Sequence, residues 1–315
     1  MKRVMDVLWP IVGLGAVAFT FRLLARELHG LSLAKLGAAF AAISPLHWLL
    51  ALGSTGLAYT ALAWYDQIAL AHLGRRLNWR FVGLVSFTTY ALAHNIGATM
   101  LSGAVIRYRA YSTKGLGMAE VGVLVAFCSF TFTLGNLSLA GLTLLSDPEL
   151  VRRYVDLPDW AGRLLAIALL GAPCLYTIGS LLHFAPLHIR GLALVYPRPP
   201  IAARQLLAGP LDLIGAAGII YLALPASGNP GFLAVLVVFL ASFTLALISH
   251  APGGLGVLEY SFIKAMPDSP TADVVAALLV FRLLYLILPL LFSLVVVLIF
   301  ERARIGELIR VRGGG

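Results

Sequence analysis

The chain has 315 residues, 60% hydrophobic and 12% charged, with Lys plus Arg 23 against Asp plus Glu 14 and a formal net charge of +9. That composition excludes a soluble globular domain and reads as an all-α, polytopic membrane protein. On a soluble chain the basic excess would point to nucleic acid; here it marks cytoplasmic loops and anionic lipid headgroups, and no nucleic-acid partner is expected.

Met1-Lys2-Arg3 shows no leader-cleavage pattern and runs into residues 7–24, which at about 18 residues are just long enough to cross a bilayer. Arg22, Arg26, His29 and Lys35 lie at and beyond its end, and residues 31–43 are expected to lie along the interface. Residues 48–70 form a second span that closes in Tyr65-Asp66, before a short basic loop with Arg75, Arg76 and Arg80. Residues 81–111 are a broken unit, and residues 118–145 a long apolar helix with Glu120 in its first turn. A polar, mixed-charge loop precedes the span at 161–185. Residues 188–204, with three prolines and Arg190, Arg198 and Arg204, read as a loop. A span carrying Asp212 follows at 206–224, then a second broken unit at 231–266. Residues 274–300 close the bundle with Arg282 well inside, and the tail is rich in arginine. The expectation is one transmembrane domain over residues 1–315, with about six full spans and two broken hairpins. Cys128 and Cys174 sit in apolar runs without CxxC spacing, so no disulfide, metal or other cofactor is expected.

The broken units are related. Ser86-Phe87-Thr88 followed by His94 recurs 156 residues later as Ser242-Phe243-Thr244 followed by His250. Interruptions follow each histidine, with Gly97 and Gly103 in the first and Pro252, Gly253, Gly254 and Gly256 in the second. Proline lacks the backbone donor and glycine weakens a helix, so both helices should break. Arg107-Tyr108 and Glu259-Tyr260 then take equivalent places. Each copy reads as a helix that breaks and folds back, followed by a long helix: residues 81–145, and again 231–300. A broken backbone at membrane depth is tolerated where it is buried in protein or lines a wet cavity.

Placing the basic loops and both termini in the cytoplasm works if each broken unit enters and leaves on one side. The copies then face opposite ways, the inverted-repeat plan of many secondary transporters. This scheme leaves Arg22, Arg26 and Lys35 outside.

Charges within a span need a partner or a purpose. The candidates are Asp66, Asp212, Glu259, Arg282, Arg107 and Arg109, with Tyr108 and Tyr260 beside them. In one reading the two break tips approach each other, Arg107 and Arg109 hold a phosphate by their planar forks, and Glu259 or Asp212 balances a cationic headgroup. The plainer readings are that the first-unit arginines snorkel to the surface and that Arg282 pairs with Asp212 or Glu259 to hold the bundle. Asp66 is as readily an interfacial cap, or a partner of Arg75 or Arg76. His94 and His250 either relay protons or bond carbonyls freed by the breaks. Gly215-Ala216-Ala217-Gly218 fits close helix packing. No GxxxxGK[ST], HExxH or GxSxG pattern occurs, so no catalytic residue is assigned and the chain is not expected to be an enzyme.

The stretches Ser102-Gly103-Ala104-Val105-Ile106-Arg107-Tyr108-Arg109 through Leu116, and Ala251-Pro252-Gly253-Gly254-Leu255-Gly256-Val257-Leu258-Glu259, resemble the two signature stretches of the lysylphosphatidylglycerol synthase transmembrane family. Tyr65-Asp66 resembles a third, shorter one. This family includes the membrane half of the bacterial multiple peptide resistance factor, to which flipping of aminoacylated phosphatidylglycerol is ascribed. The resemblance implies a multi-pass bacterial inner-membrane protein with re-entrant helices and a phospholipid substrate. No aminoacyl-transferase domain follows in this sequence, so lysyl transfer is not expected of it. The implied partners are membrane phospholipids, a separate aminoacyl-phosphatidylglycerol synthase and, from the family alone, a second copy of the chain. The leading expectation is a phospholipid translocase. The competing one is a non-transporting partner that presents lipid or a polyprenyl-linked substrate to a separate synthase or glycosyltransferase.

Overall fold

The computed structural model describes residues 33–96, 99–147, 158–184, 187–189, 192–194, 196–226, 229–249 and 254–299. In chain order these form α1 (Leu33–Ala42), α2 (Pro45–His72), α3 (Trp79–Ile96), α4 (Thr99–Tyr111), α5 (Met118–Ser146) and α6 (Asp159–Leu181). A small hairpin of β1 (Leu187–Ile189) and β2 (Leu192–Leu194) follows. Then come α7 (Pro199–Ala223), α8 (Phe232–Ile248), α9 (Val257–Ala265) and α10 (Thr271–Ile299). The fold is that of an all-α polytopic membrane protein. Helices α2, α5, α6, α7 and α10 are long and apolar enough to cross a bilayer, and they coincide with five of the six expected spans. The sixth, residues 7–24, lies outside the described residues, as do Gly97, His250, Pro252, Gly253 and the arginine-rich tail.

Local chemistry sets the helix starts. The Ser44 hydroxyl accepts the His47 N–H at 3.3 Å, and Pro45 takes the first turn of α2. Pro199 and Pro200 open α7 in the same way, because a first-turn residue needs no intrahelical donor. Here the expectation is corrected: residues 199–204, read as loop on account of their prolines, are the first turns of a span. The rest of that loop is not wholly irregular either. Leu187-His188-Ile189 pairs antiparallel with Leu192-Ala193-Leu194. The stretch expected along the interface is α1, whose Leu36 and Phe40, one turn apart, pack on the core beside α10.

The most extensive contact in the bundle joins α2 to α7, and glycines make it close. A Cβ at Gly215 would stand 2.8 Å from the Ala58 nitrogen, and one at Gly218 3.0 Å from the Ser54 hydroxyl. Where α7 crosses α5 the backbones touch, since a Cβ on Gly135 would lie 2.4 Å from the Gly209 carbonyl carbon. Small residues that let backbones approach are the usual device where lipid removes the hydrophobic drive between helices.

Both broken units fold back on themselves. In the first, Gly103 lies against Thr89 and Ala93, Arg107 against Tyr90, and Tyr111 against Phe81, the order of an antiparallel pair. In the second, Gly254 returns to Ala246. Helix α4, with 13 residues, is about 20 Å long and α9, with 9, about 14 Å, both short of a hydrocarbon core of about 30 Å. The repeated Ser-Phe-Thr tripeptides anchor the first arms. Ser86 donates to the Leu62 carbonyl at 3.0 Å, and Thr244 accepts from Asn136 at 3.2 Å. Among the described residues, three helices long enough to span, α5, α6 and α7, separate the two hairpins in the chain.

Helix α10 is not uniform. Arg282–Ile287 is π-helical, which leaves backbone carbonyls without their α-helical donors. The Tyr59 hydroxyl donates to the Tyr285 carbonyl at 2.9 Å, and the Asn95 amide donates to the Leu286 carbonyl at 3.2 Å.

Candidate functional site

Five intramembrane charges anchor a polar seam through the middle of this bundle. At one end Asp66 of α2 is fully buried, and four side-chain contacts from two other helices meet its carboxylate. Arg107 of α4 donates through Nε to Oδ2 at 3.1 Å and through a terminal nitrogen to Oδ1 at 2.7 Å, a two-point fork. The Tyr111 hydroxyl, one turn on, donates to Oδ2 at 2.7 Å, and the Cys128 thiol of α5 to Oδ1 at 3.5 Å. The Tyr90 ring faces the Arg107 guanidinium, 4.8 Å from its centroid. A buried pair offsets its desolvation only when its remaining lone pairs are satisfied, and here they are. The expected alternatives for Asp66 are therefore corrected. It is neither an interfacial cap nor a partner of Arg75 or Arg76, and Arg75 instead bonds Glu120 at 2.8 Å near the surface.

At the other end, Glu259 of α9 meets Arg282 of α10. The Arg282 Nε donates to Glu259 Oε1, and the Gly256 N–H donates to Oε2 at 2.8 Å. Glu259 thus caps its own helix from the third position, where the helix dipole also favours a negative charge. Gly256 has φ +80° and Gly254 φ +62°, conformations that open only to glycine without strain. Of the two partners foreseen for Arg282, the structure selects Glu259.

Between the pairs lies Asp212 on α7. It receives the Tyr65 hydroxyl on Oδ2 and the Tyr285 hydroxyl on Oδ1, each at 3.3 Å. Tyr65 stands edge-on to Tyr90, and His94 stacks on Tyr285 with ring centroids 5.5 Å apart. The His94 Nδ1 is buried and has no hydrogen-bond partner among the described residues. So the tip of the first hairpin, His94 and Asn95, reaches the π segment of α10. The same segment opens with Arg282, which holds the second hairpin.

The two arginines of the first unit part company. Residues two apart do not share a helix face, and Arg107 is buried while Arg109 and Tyr108 are exposed. They do not form one joint clamp. Tyr260 is part-buried beside Glu259, and Gly103 is buried with its Cα side against the Arg107 guanidinium, where a Cβ would stand 3.2 Å away. Arg107 and Glu259, equivalent in the repeat, are each engaged with another helix and not with each other. Sequence reasoning passed over Tyr59, Tyr90, Tyr111, Cys128, Tyr285 and Asn95. A usable signal existed for two of them: Tyr111 lies four residues after Arg107, and Tyr285 three after Arg282, spacings that share a face. Among the described residues no cluster of three His, Cys, Asp or Glu side chains is placed to hold a metal.

No protein-family model matches the chain. It is 33% identical over 262 residues to the inner membrane protein YbhN of Escherichia coli, a match covering 80% of this chain and 80% of that one. It is 30% identical over 238 residues to the uncharacterised protein slr0712 of Synechocystis, covering 74% of this chain and 72% of that one.

Proposed function

The chain belongs to the family of the inner membrane protein YbhN, and from that premise we propose that it is a phospholipid translocase of the bacterial inner membrane. Its substrate is an anionic or aminoacylated phosphatidylglycerol-type lipid. Both termini lie in the cytoplasm, as the basic loops favour. The observation that carries the reading is the polar seam, in which two folded-back hairpins each bring one charge to the interior and a π-helical segment links them. The likeness of the Arg107 and Glu259 stretches to the lysylphosphatidylglycerol synthase transmembrane family supports the lipid class.

The chemistry of transfer is an exchange of partners. Arg107 offers a planar fork that a phosphate engages as well as a carboxylate does. A headgroup entering the seam takes over the fork from Asp66, whose charge is held meanwhile by Tyr111 and Cys128. A cationic headgroup amine is met by Glu259 when Arg282 turns away, or by Asp212. Arg109, exposed on the same hairpin, attracts anionic headgroups to its mouth. The acyl chains stay in lipid throughout. Aminoacyl transfer is left to a separate synthase.

The test is a headgroup-accessibility assay in liposomes with the full chain and fluorescent phosphatidylglycerol, with and without a lysyl headgroup. Wild type is expected to exchange lipid between leaflets, and Arg107→Ala and Glu259→Gln to lose exchange while remaining monodisperse. Absence of exchange by folded wild type, with or without a proton gradient, overturns the translocase and turns the reading to a partner that presents lipid to another enzyme.

A further inference from the structure

Among the described residues, the intramembrane carboxylates Asp66 and Glu259 each meet an arginine, whereas Asp212 meets two phenols. Asp212 is 2% exposed. Burying an ionised carboxylate away from any cation is costly, and binding a proton removes the cost. We propose that Asp212 is a proton-binding site, and that the proton it takes up and releases is the ion whose movement drives transport. The second clause rests on the translocase reading; the first does not.

The surroundings suit a group that is charged in one state and neutral in another. The Tyr65 hydroxyl lies 3.3 Å from Asp212 Oδ2 and also 3.3 Å from the Gly209 carbonyl, one turn earlier on α7. With Asp212 ionised, Tyr65 donates to the carboxylate. When a proton arrives from water, the new carboxyl O–H donates to the Tyr65 oxygen, and the Tyr65 hydrogen turns to the Gly209 carbonyl. No bond between heavy atoms changes, and release reverses the order. Each of the three oxygens keeps a partner in both states, which is the condition for a buried polar network to persist.

The other neighbours are consistent with this role. From α2, Tyr59 bonds the backbone at Tyr285, and from α3, Tyr90 and His94 face Tyr65 and Tyr285. Helices α5 and α6, packed on α7, direct Cys128 to Asp66 and Tyr176 to Gln205, and on α8 the Thr244 hydroxyl accepts from Asn136 of α5. Position adds a reason for coupling. Tyr65 belongs to α2, Tyr285 to the π segment of α10, and Gly209 to the crossing where α7 touches α5 backbone to backbone. A proton on Asp212 therefore alters contacts of the helices that hold both hairpins.

Infrared difference spectroscopy on the purified full chain, stepped in pH, reads the site without any lipid. A pH-dependent carboxyl band is expected that Asp212→Asn removes and Tyr65→Phe shifts. Asparagine keeps the shape and both phenol contacts, and Asp212→Glu, which keeps a titrating group, should retain a band if Asn fails to fold. No Asp212-dependent band, or one that follows sodium and not pH, overturns the proposal. In liposomes that exchange lipid, a pH gradient should bias transfer in wild type, and the bias should vanish in Asp212→Asn. Persistence of the bias in that variant sinks the coupling while leaving the translocase standing. Absence of all exchange sinks the translocase while the infrared result stands.

Discussion

The two hairpins present opposite charges from their returning arms, Arg107 in the first and Glu259 in the second. In the first, Arg107 reaches back to Asp66 on the preceding helix, and a phenol, a thiol and an aromatic face complete the enclosure. In the second, Glu259 reaches forward to Arg282 on the following helix, and its own helix N-terminus supplies the remaining donor. The Asp66 side chain is 0% exposed, that of Glu259 11%. The first pair is sealed by neighbours from several helices, the second by local backbone. The second should therefore open more easily than the first, which gives up its fork only to a group that replaces the carboxylate.

Substitutions rank this difference. The largest loss is expected for Arg107→Ala, which strands Asp66 without its cation and should cost about 3–5 kcal/mol. A fall in the thermal midpoint in detergent measures it, and a midpoint like wild type would show that the Arg107–Asp66 pair does not hold the first hairpin. Glu259→Ala removes an acceptor that serves Arg282 and Gly256 and should cost about 1.5–3 kcal/mol, a smaller fall on the same scale. Equal losses would erase the contrast between the hairpins. Gly256→Ala places a side chain at φ +80° and should cost about 1–3 kcal/mol, at the low end if the cap shifts. The smallest effect is expected for Arg75→Ala. Glu120 also bonds the N–H of a glycine three residues earlier and an arginine, Gly117 and Arg75, at 2.9 and 2.8 Å. This is the Glu259 arrangement set in water, where such pairs contribute little, so its midpoint should not move.

Much of the frame could be read from the chain alone. Hydropathy runs located five spans to within a few residues at most ends, and the interruptions after His94 and His250 fall between α3 and α4 and between α8 and α9. The expectation for Gly103 is corrected: it lies inside α4, where its missing side chain makes room for Arg107, while Gly97, Pro252 and Gly253 lie outside the described residues. The start of α7 was missed because Pro199 and Pro200 read as loop formers, while at a first turn they fit a helix. Of the site, the charges were found and their partners largely were not. Asp66 has Arg75 and Arg76 close behind it in sequence, yet it bonds Arg107, 41 residues away. Sequence distance has no bearing once α2 and a folded-back α4 lie side by side. The phenols that join the seam were passed over because tyrosine in a span reads as an interfacial or core residue until a buried carboxylate is seen against it.

The π segment of α10 has a consequence for the far half of that helix. An extra residue accommodated between Arg282 and Ile287 rotates all that follows by about 100° relative to an unbroken α-helix. The outward stripe of Leu291, Phe292, Val295, Leu298 and Ile299 is thus aimed at lipid by an irregularity several turns away. Evolution can acquire such a turn by inserting one codon and lose it by deleting one. Deleting Leu283 would convert the segment to regular helix and swing that greasy stripe inward.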